Sequence, residues 1–181
     1  MVHASTGEIE FDLASHQINK FGSNELQTGA GGKVKQMVST VTGAVATGTT
    51  QIPQDDTIPQ NTEGDEYMTL AITPVSATSN LKIQVTAHFA VNGGANVAMA
   101  LFVDSTANAL AVAAHESGAV SGAPIHATLT HVVASASTSA RTYKVRAGPN
   151  GGVTVTFNGA GGARLFGGVY TSSIVITEIE A

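Results

Sequence analysis

Histidines, a run of acids and many serines are the side chains in this sequence that could do chemistry, and their spacing argues against most of it. His88 sits on the polar side of an alternating stretch. His126 and His131 are an odd number of residues apart, so in a strand they point to opposite faces. His3, His16 and His115 have no partner at ligand spacing. A sequence-local zinc site would show His-x-His on a strand or a cysteine partner, and the chain has no cysteine at all. Polar-face or interface histidines are the reading, and at a subunit contact they would confer pH sensitivity.

Asp55, Asp56, Glu63, Asp65 and Glu66 offer oxygen ligands of the kind calcium takes. They lack the fixed order of an EF-hand loop, and solvated loop acids account for them equally well. No Gly-x-Ser-x-Gly elbow accompanies the serines. Asn92-Gly93-Gly94 and Gly161-Gly162 read as turns, without a phosphate-binding fingerprint around them. Glycoside hydrolysis needs two carboxylates flanking a bond, and past Glu66 the acids are only Asp104, Glu116, Glu178 and Glu180. The expectation is a non-enzyme with no cofactor, no catalytic residue and no metal ligand set.

Composition points the same way. A net charge of −5 disfavours nucleic acid, whose phosphates call for clustered Lys and Arg. The nearest approach to a cluster, Arg141, Lys144 and Arg146, is split between faces by strand spacing. Without cysteines the chain is expected to fold in a reducing cytosol. No apolar run approaches the ~20 residues of a membrane span, and the first ten residues lack the order of a signal peptide. Aromatics are only 5% of residues, so Val, Ile, Leu and Ala must fill the core. A shortfall in burial of this kind is commonly met by oligomerisation.

The elements read as strands. Lys33 to Val41 alternates, as does Tyr67 to Thr73, which Pro74 closes. In Asn80 to Ala90, Leu81, Ile83, Val85, Ala87 and Phe89 fall on one face, with Lys82, Gln84, Thr86 and His88 on the other. Further strands are expected at Val97–Val103, Ala109–His115, Ile125–Val133, Arg141–Ala147, Val153–Phe157 and Val169–Ile179. Gly43 to Gly64 reads as a turn-rich connection, and Gly/Asn turns separate the rest. This spacing predicts an all-β fold, a jelly-roll-like antiparallel β-sandwich, over residues 33–181. Residues 1–32 read as an extended N-terminal anchoring arm, hinged at Gly29-Ala30-Gly31-Gly32. The arm's apolar residues Ile9, Phe11, Leu13, Ile18 and Phe21, with Leu26, need a partner surface. Small residues such as Ala98, Ala100, Ala111 and Ala113 suit close packing of a sheet or of a subunit.

Several blocks carry a resemblance. Thr57 to Thr69 (TIPQNTEGDEYMT), Ile72-Thr73-Pro74, Leu101 to Leu110 (LFVDSTANAL), Tyr143 to Gly148 (YKVRAG), Phe157-Asn158-Gly159 and the closing Ser-Ile-Val-Ile-Thr-Glu-Ile resemble a family of tailed-bacteriophage virion proteins. They are similar to β-sandwich modules at the ends of phage tail fibres and in other exterior virion proteins. The resemblance covers about Lys33 to Glu180 and leaves the arm outside. It implies a jelly-roll-like sandwich, a homotrimer, and no catalytic residues. Only about thirty residues stand where fibre proteins carry a long shaft.

Two functions are therefore expected from different classes. One is a capsid decoration or cement protein on the virion exterior, held to the major capsid protein or another virion protein by its arm and made in the host cytoplasm. The other is a short tail fibre or receptor-binding knob touching the host surface. Neither involves nucleic acid or membrane insertion.

Overall fold

The computed structural model describes residues 11–12, 17–18, 33–116 and 121–181. The chain divides into two compact units, Met1–Lys33 and Val34–Ala181. In the first, β1 (Phe11–Asp12) pairs antiparallel with β2 (Gln17–Ile18), setting Phe11 opposite Ile18. Ile9, Leu13, Phe21 and Leu26 lie outside the described residues.

The second unit is an antiparallel β-sandwich, jelly-roll-like in class. Its larger sheet is built around β6 (Asn80–Val91), the longest strand. Along one side β6 pairs with β9 (Pro124–Ala134). Along the other it pairs first with β14 (Ser172–Ile179) and then, past Thr86, with β11 (Val155–Phe157). β3 (Val34–Thr42) flanks β14, and β4 (Ala46–Gly48) flanks β11. The smaller sheet runs β5 (Asp65–Ile72), β10 (Arg141–Pro149), β7 (Val97–Val103) and β8 (Ala111–His115). A short hairpin of β12 (Gly159–Ala160) and β13 (Ala163–Arg164) leads to a 3-10 turn at Phe166–Gly168.

The period-2 pattern is what positions the core. Leu81, Ile83, Val85, Ala87 and Phe89 are all buried between the sheets, facing Met68, Tyr143, Val145 and Leu101 from the other side. Three aromatics, Tyr67, Phe89 and Phe157, meet in this core. The Tyr67 ring stacks on Phe157 at 5.0 Å and meets Phe89 edge-on at 5.8 Å, joining the two sheets. Tyr67 reaches that position because it is the extra residue of a β-bulge: Met68 pairs with Val145, but Glu66 pairs with Arg146. A second bulge at Lys35, where Gln36 pairs with Glu178 but Val34 with Ile179, leaves Val34 64% exposed although its parity matches buried-side residues.

Three expectations need correction. The Gly43–Gly64 connection contains a strand, β4, too short to show a period. The stretch from Asn158 to Gly162 opens a second ladder around Gly161-Gly162. The last strand starts at Ser172, because the positive-φ glycines Gly167 and Gly168 hold the preceding residues in a turn. Of the two packings that the small residues of β7 suit, within the chain or against another subunit, the chain supplies the first: Ile52 packs on Ala98, Ala100 and Phe102, so β7 is buried on both faces.

Candidate functional site

The smaller sheet is capped by the acidic loop, and its carboxylates shape that loop. Asp65 accepts hydrogen bonds from the Thr50 N–H at 3.0 Å and the Thr50 hydroxyl at 2.8 Å. Asp55 accepts from the Thr57 N–H at 2.9 Å, and its hydroxyl contact holds that carboxyl below the usual range. Glu63 accepts the Gln60 N–H at 2.9 Å, and Glu66 lies 3.8 Å from Arg146. Arg146 also donates to the Glu63 and Gly64 carbonyls at 2.8 and 2.6 Å. Gly64 has to be glycine there, since its φ is 63° and a Cβ would meet Ile52 at 2.8 Å.

No three metal-ligating side chains converge among the described residues. With loop donors already on these carboxylates, melting curves with and without a chelator are expected to coincide. A large chelator-induced drop would make the loop a structural calcium site.

Beside this loop lies a cleft of about 570 Å³ between Ile52, Pro53 and Pro59 on one side and Ala98, Val112 and Ala114 on the other, with Gln54, Asp55 and Thr57 at its rim. Ala98 and Ala114 make its floor because they are small and stand opposite each other in the β7–β8 ladder.

On the outer face of the larger sheet the register of β6 and β9 sets His88 directly opposite His126. Their rings stack at 5.0 Å. The Tyr170 ring covers the other side of His88 at 4.1 Å, and Phe166 meets Tyr170 edge-on at 5.6 Å. The Nδ1 of His88 is buried without a hydrogen-bond partner, so no carboxylate fixes the tautomer as a general base would require. Burial first, and then the neighbouring His126, push the His88 ring below its ordinary 6.5.

The sign of the resulting pH dependence follows. Below pH 6.5 the unfolded chain binds a proton that the folded one resists, so this residue's contribution to stability falls as pH drops from 6.5. His88→Phe keeps a ring against Tyr170 and removes the titration. Its melting temperature is expected to fall less between pH 7.5 and 5 than that of the parent chain. An unchanged pH slope would show that other groups carry it.

The remaining histidines are scattered. His131 is half-buried opposite Ile83 on the inward side of its strand, the opposite face from His126. His115 is exposed at the end of β8, and His3 and His16 lie outside the described residues. Arg141 is 3.7 Å from Asp104, while Lys144 and Arg146 alternate with the buried Tyr143, Val145 and Ala147. Of the arm residues, Phe11 and Ile18 are brought opposite each other in backbone register.

The buried group that sequence reading passed over is Glu178. It is fully buried and accepts hydrogen bonds from Gln36 Nε2 at 2.6 Å, the Val75 N–H at 2.8 Å and the Ser76 N–H at 3.0 Å. Burial pushes its carboxyl upward, but the donors outweigh this and hold it at about 2. A signal was present: Glu178 shares parity with Ile174 and Ile176, on the core side of its strand.

No protein-family model matches the chain, and no curated protein does. Among solved structures it is similar to that of infectious bursal disease virus strain Gx, at 16% identity and a TM-score of 0.37, over 81% of this chain and 37% of that one. It is also similar to the VP2 subviral particle of infectious bursal disease virus, at 12% identity and TM-score 0.35, over 81% and 40%. A third is the enzymatically active domain of bacteriophage CBA120 tailspike protein 4, at 16% identity and TM-score 0.30, over 71% and 19%. The chain thus spans two fifths or less of each of these proteins.

Proposed function

We propose that this chain is a non-enzymatic structural protein of a tailed-phage virion, a homotrimeric decoration or cement protein on the capsid exterior, anchored by its N-terminal arm. The observation that carries this is where the polar chemistry goes. Glu178, Arg146, Asp65 and Asp104 hold the sandwich's own loops and strands together, and the His88 ring is packed between aromatic rings with its Nδ1 unpartnered. The sequence blocks similar to exterior phage modules supply the virion setting. Such a protein works by mass action: what binds only the assembled shell stabilises it, and three arms on one trimer add avidity. The test is decoration in vitro. Purified protein is added to shells lacking it, and bound copies and shell melting are measured. Saturable binding that raises the shell's melting temperature supports the reading, and absence of binding refutes it.

The cleft beside Ile52 favours a second reading, a short tail fibre or receptor-binding knob. At about 570 Å³ it lies within the range of ligand sites, ~300–1,000 Å³, and is apolar with a few polar groups at the rim. Imaging of labelled protein on intact particles separates the two, by signal over the shell or at the tail.

A further inference from the structure

We propose that the outer face of the larger sheet, formed by β3, β14, β6 and β9, is the surface on which a second copy of this chain packs. This rests on the self-association in the proposed function, whose interface it locates, but not on the virion setting or the arm. The two sheets differ in what covers them. On the smaller sheet the chain's own loop is laid down, with Ile52 over Ala98, Ala100 and Phe102 and Arg146 fastening the loop carbonyls. On the larger sheet β3 and β9 leave large apolar side chains exposed. Met37 is 65%, Val41 62% and Val132 56% exposed, and the turn before β14 raises Phe166 and Val169 to 70% and 81% exposure. Phe166 is held out with a φ of 48°, a backbone conformation rare for a bulky residue.

Charge identifies the partner. The chain carries 13 acids against 8 lysines and arginines, so two copies repel at most orientations. Yet the outward positions of these four strands contain no Asp or Glu. They are Ser, Thr, Gln and apolar residues with the His88–His126 pair, and the lysines Lys35 and Lys82 stand at one end. Depletion of charge at the centre is the compositional mark of an interface core. Glu180, just past β14, lies 3.9 Å from Lys35 at that end, and the rest of the face lets two acidic copies meet without placing carboxylates together.

Size agrees. Four strands side by side are ~15–20 Å across, and nine residues of strand run ~30 Å. Corrugated by side chains, that plan area approaches the ~800 Å² that each partner of a standard interface buries.

The test is sedimentation of the full chain at micromolar concentration. The parent is expected to sediment as a multiple of 18.3 kDa. Gln84 and Thr130 are exposed and face each other midway along β6 and β9. Thr130→Glu, or the near-isosteric Gln84→Glu, is expected to weaken association ~30-fold or more, through like charges brought together. Both variants should keep the parent's circular dichroism. Ala71→Glu, exposed on β5 in the smaller sheet, should leave association unchanged. A parent monomeric at every concentration overturns the proposal, as does association unaffected by both glutamates or lost in Ala71→Glu. A monomeric parent whose residues 1–32 become protease-sensitive in Thr130→Glu would mean that the arm covers this face, which also overturns it.

Discussion

Glu178→Ala is expected to destabilise the sandwich by about 3 kcal/mol, since each buried donor left without a partner costs ~1–3 kcal/mol. The melting temperature should fall by ~6–12 °C for a domain of this size. The carboxylate gathers two backbone N–H groups from the turn after β5 and a side chain from β3. Its loss therefore loosens the turn and an edge strand together. Glu178→Gln is expected to recover part of the loss, because its amide oxygen still accepts from one side while its NH₂ faces donors.

The pH profile supplies an independent readout. The folded carboxyl lies at about 2 against an ordinary 4.5. Its contribution is therefore present in full above pH 4.5 and is lost as pH falls through about 2. The parent should lose denaturant resistance between pH 4.5 and 2, and Glu178→Gln should show a flatter profile there. Equal profiles for the two would mean that Glu178 is not the ionised hub of this network.

Much of the sandwich is legible in the sequence because period-2 alternation is a local signal. β6, β7, β9, β10 and β14 all emerge from runs whose buried and exposed residues simply alternate or are apolar throughout. β4, β12 and β13 do not, because two or three residues carry no period. The bulges at Lys35 and Tyr67 are set by pairing between distant strands, which a single run cannot reveal. The His126–His88–Tyr170–Phe166 array has the same origin. It depends on the β6–β9 register and on where a glycine turn delivers Tyr170. For the alanines of β7, composition leaves open whether a sheet or a subunit packs on them. Ala98 and Ala100 call for close packing, and an intramolecular loop supplies it.

Removing residues 1–30 is expected to leave a folded sandwich that no longer attaches to the virion. The sandwich begins at β3, where Val34 pairs with Ile179, and among the described residues the buried core between the sheets comes from β5 onward, with Val38 of β3 packed against it. Under the division of labour proposed here, the arm's Ile9, Phe11, Leu13, Ile18 and Phe21 meet a neighbouring virion protein. Each large side chain left in water forgoes ~1.5–3 kcal/mol of burial. Phe11→Asp in the full chain removes one such contact and also asks a carboxylate to leave water. A loss of about 3 kcal/mol per arm is more than a hundredfold in affinity. Because the arms of an oligomer bind together, the deficit compounds with each one. Occupancy on particles should therefore fall from saturation to near background for Phe11→Asp, with the melting temperature of the free protein unchanged. Full occupancy by the truncated chain would place the anchor on the sandwich. Aggregation of the truncated chain would instead make residues 1–30 part of the fold itself, and the boundary near Lys33 would have to move.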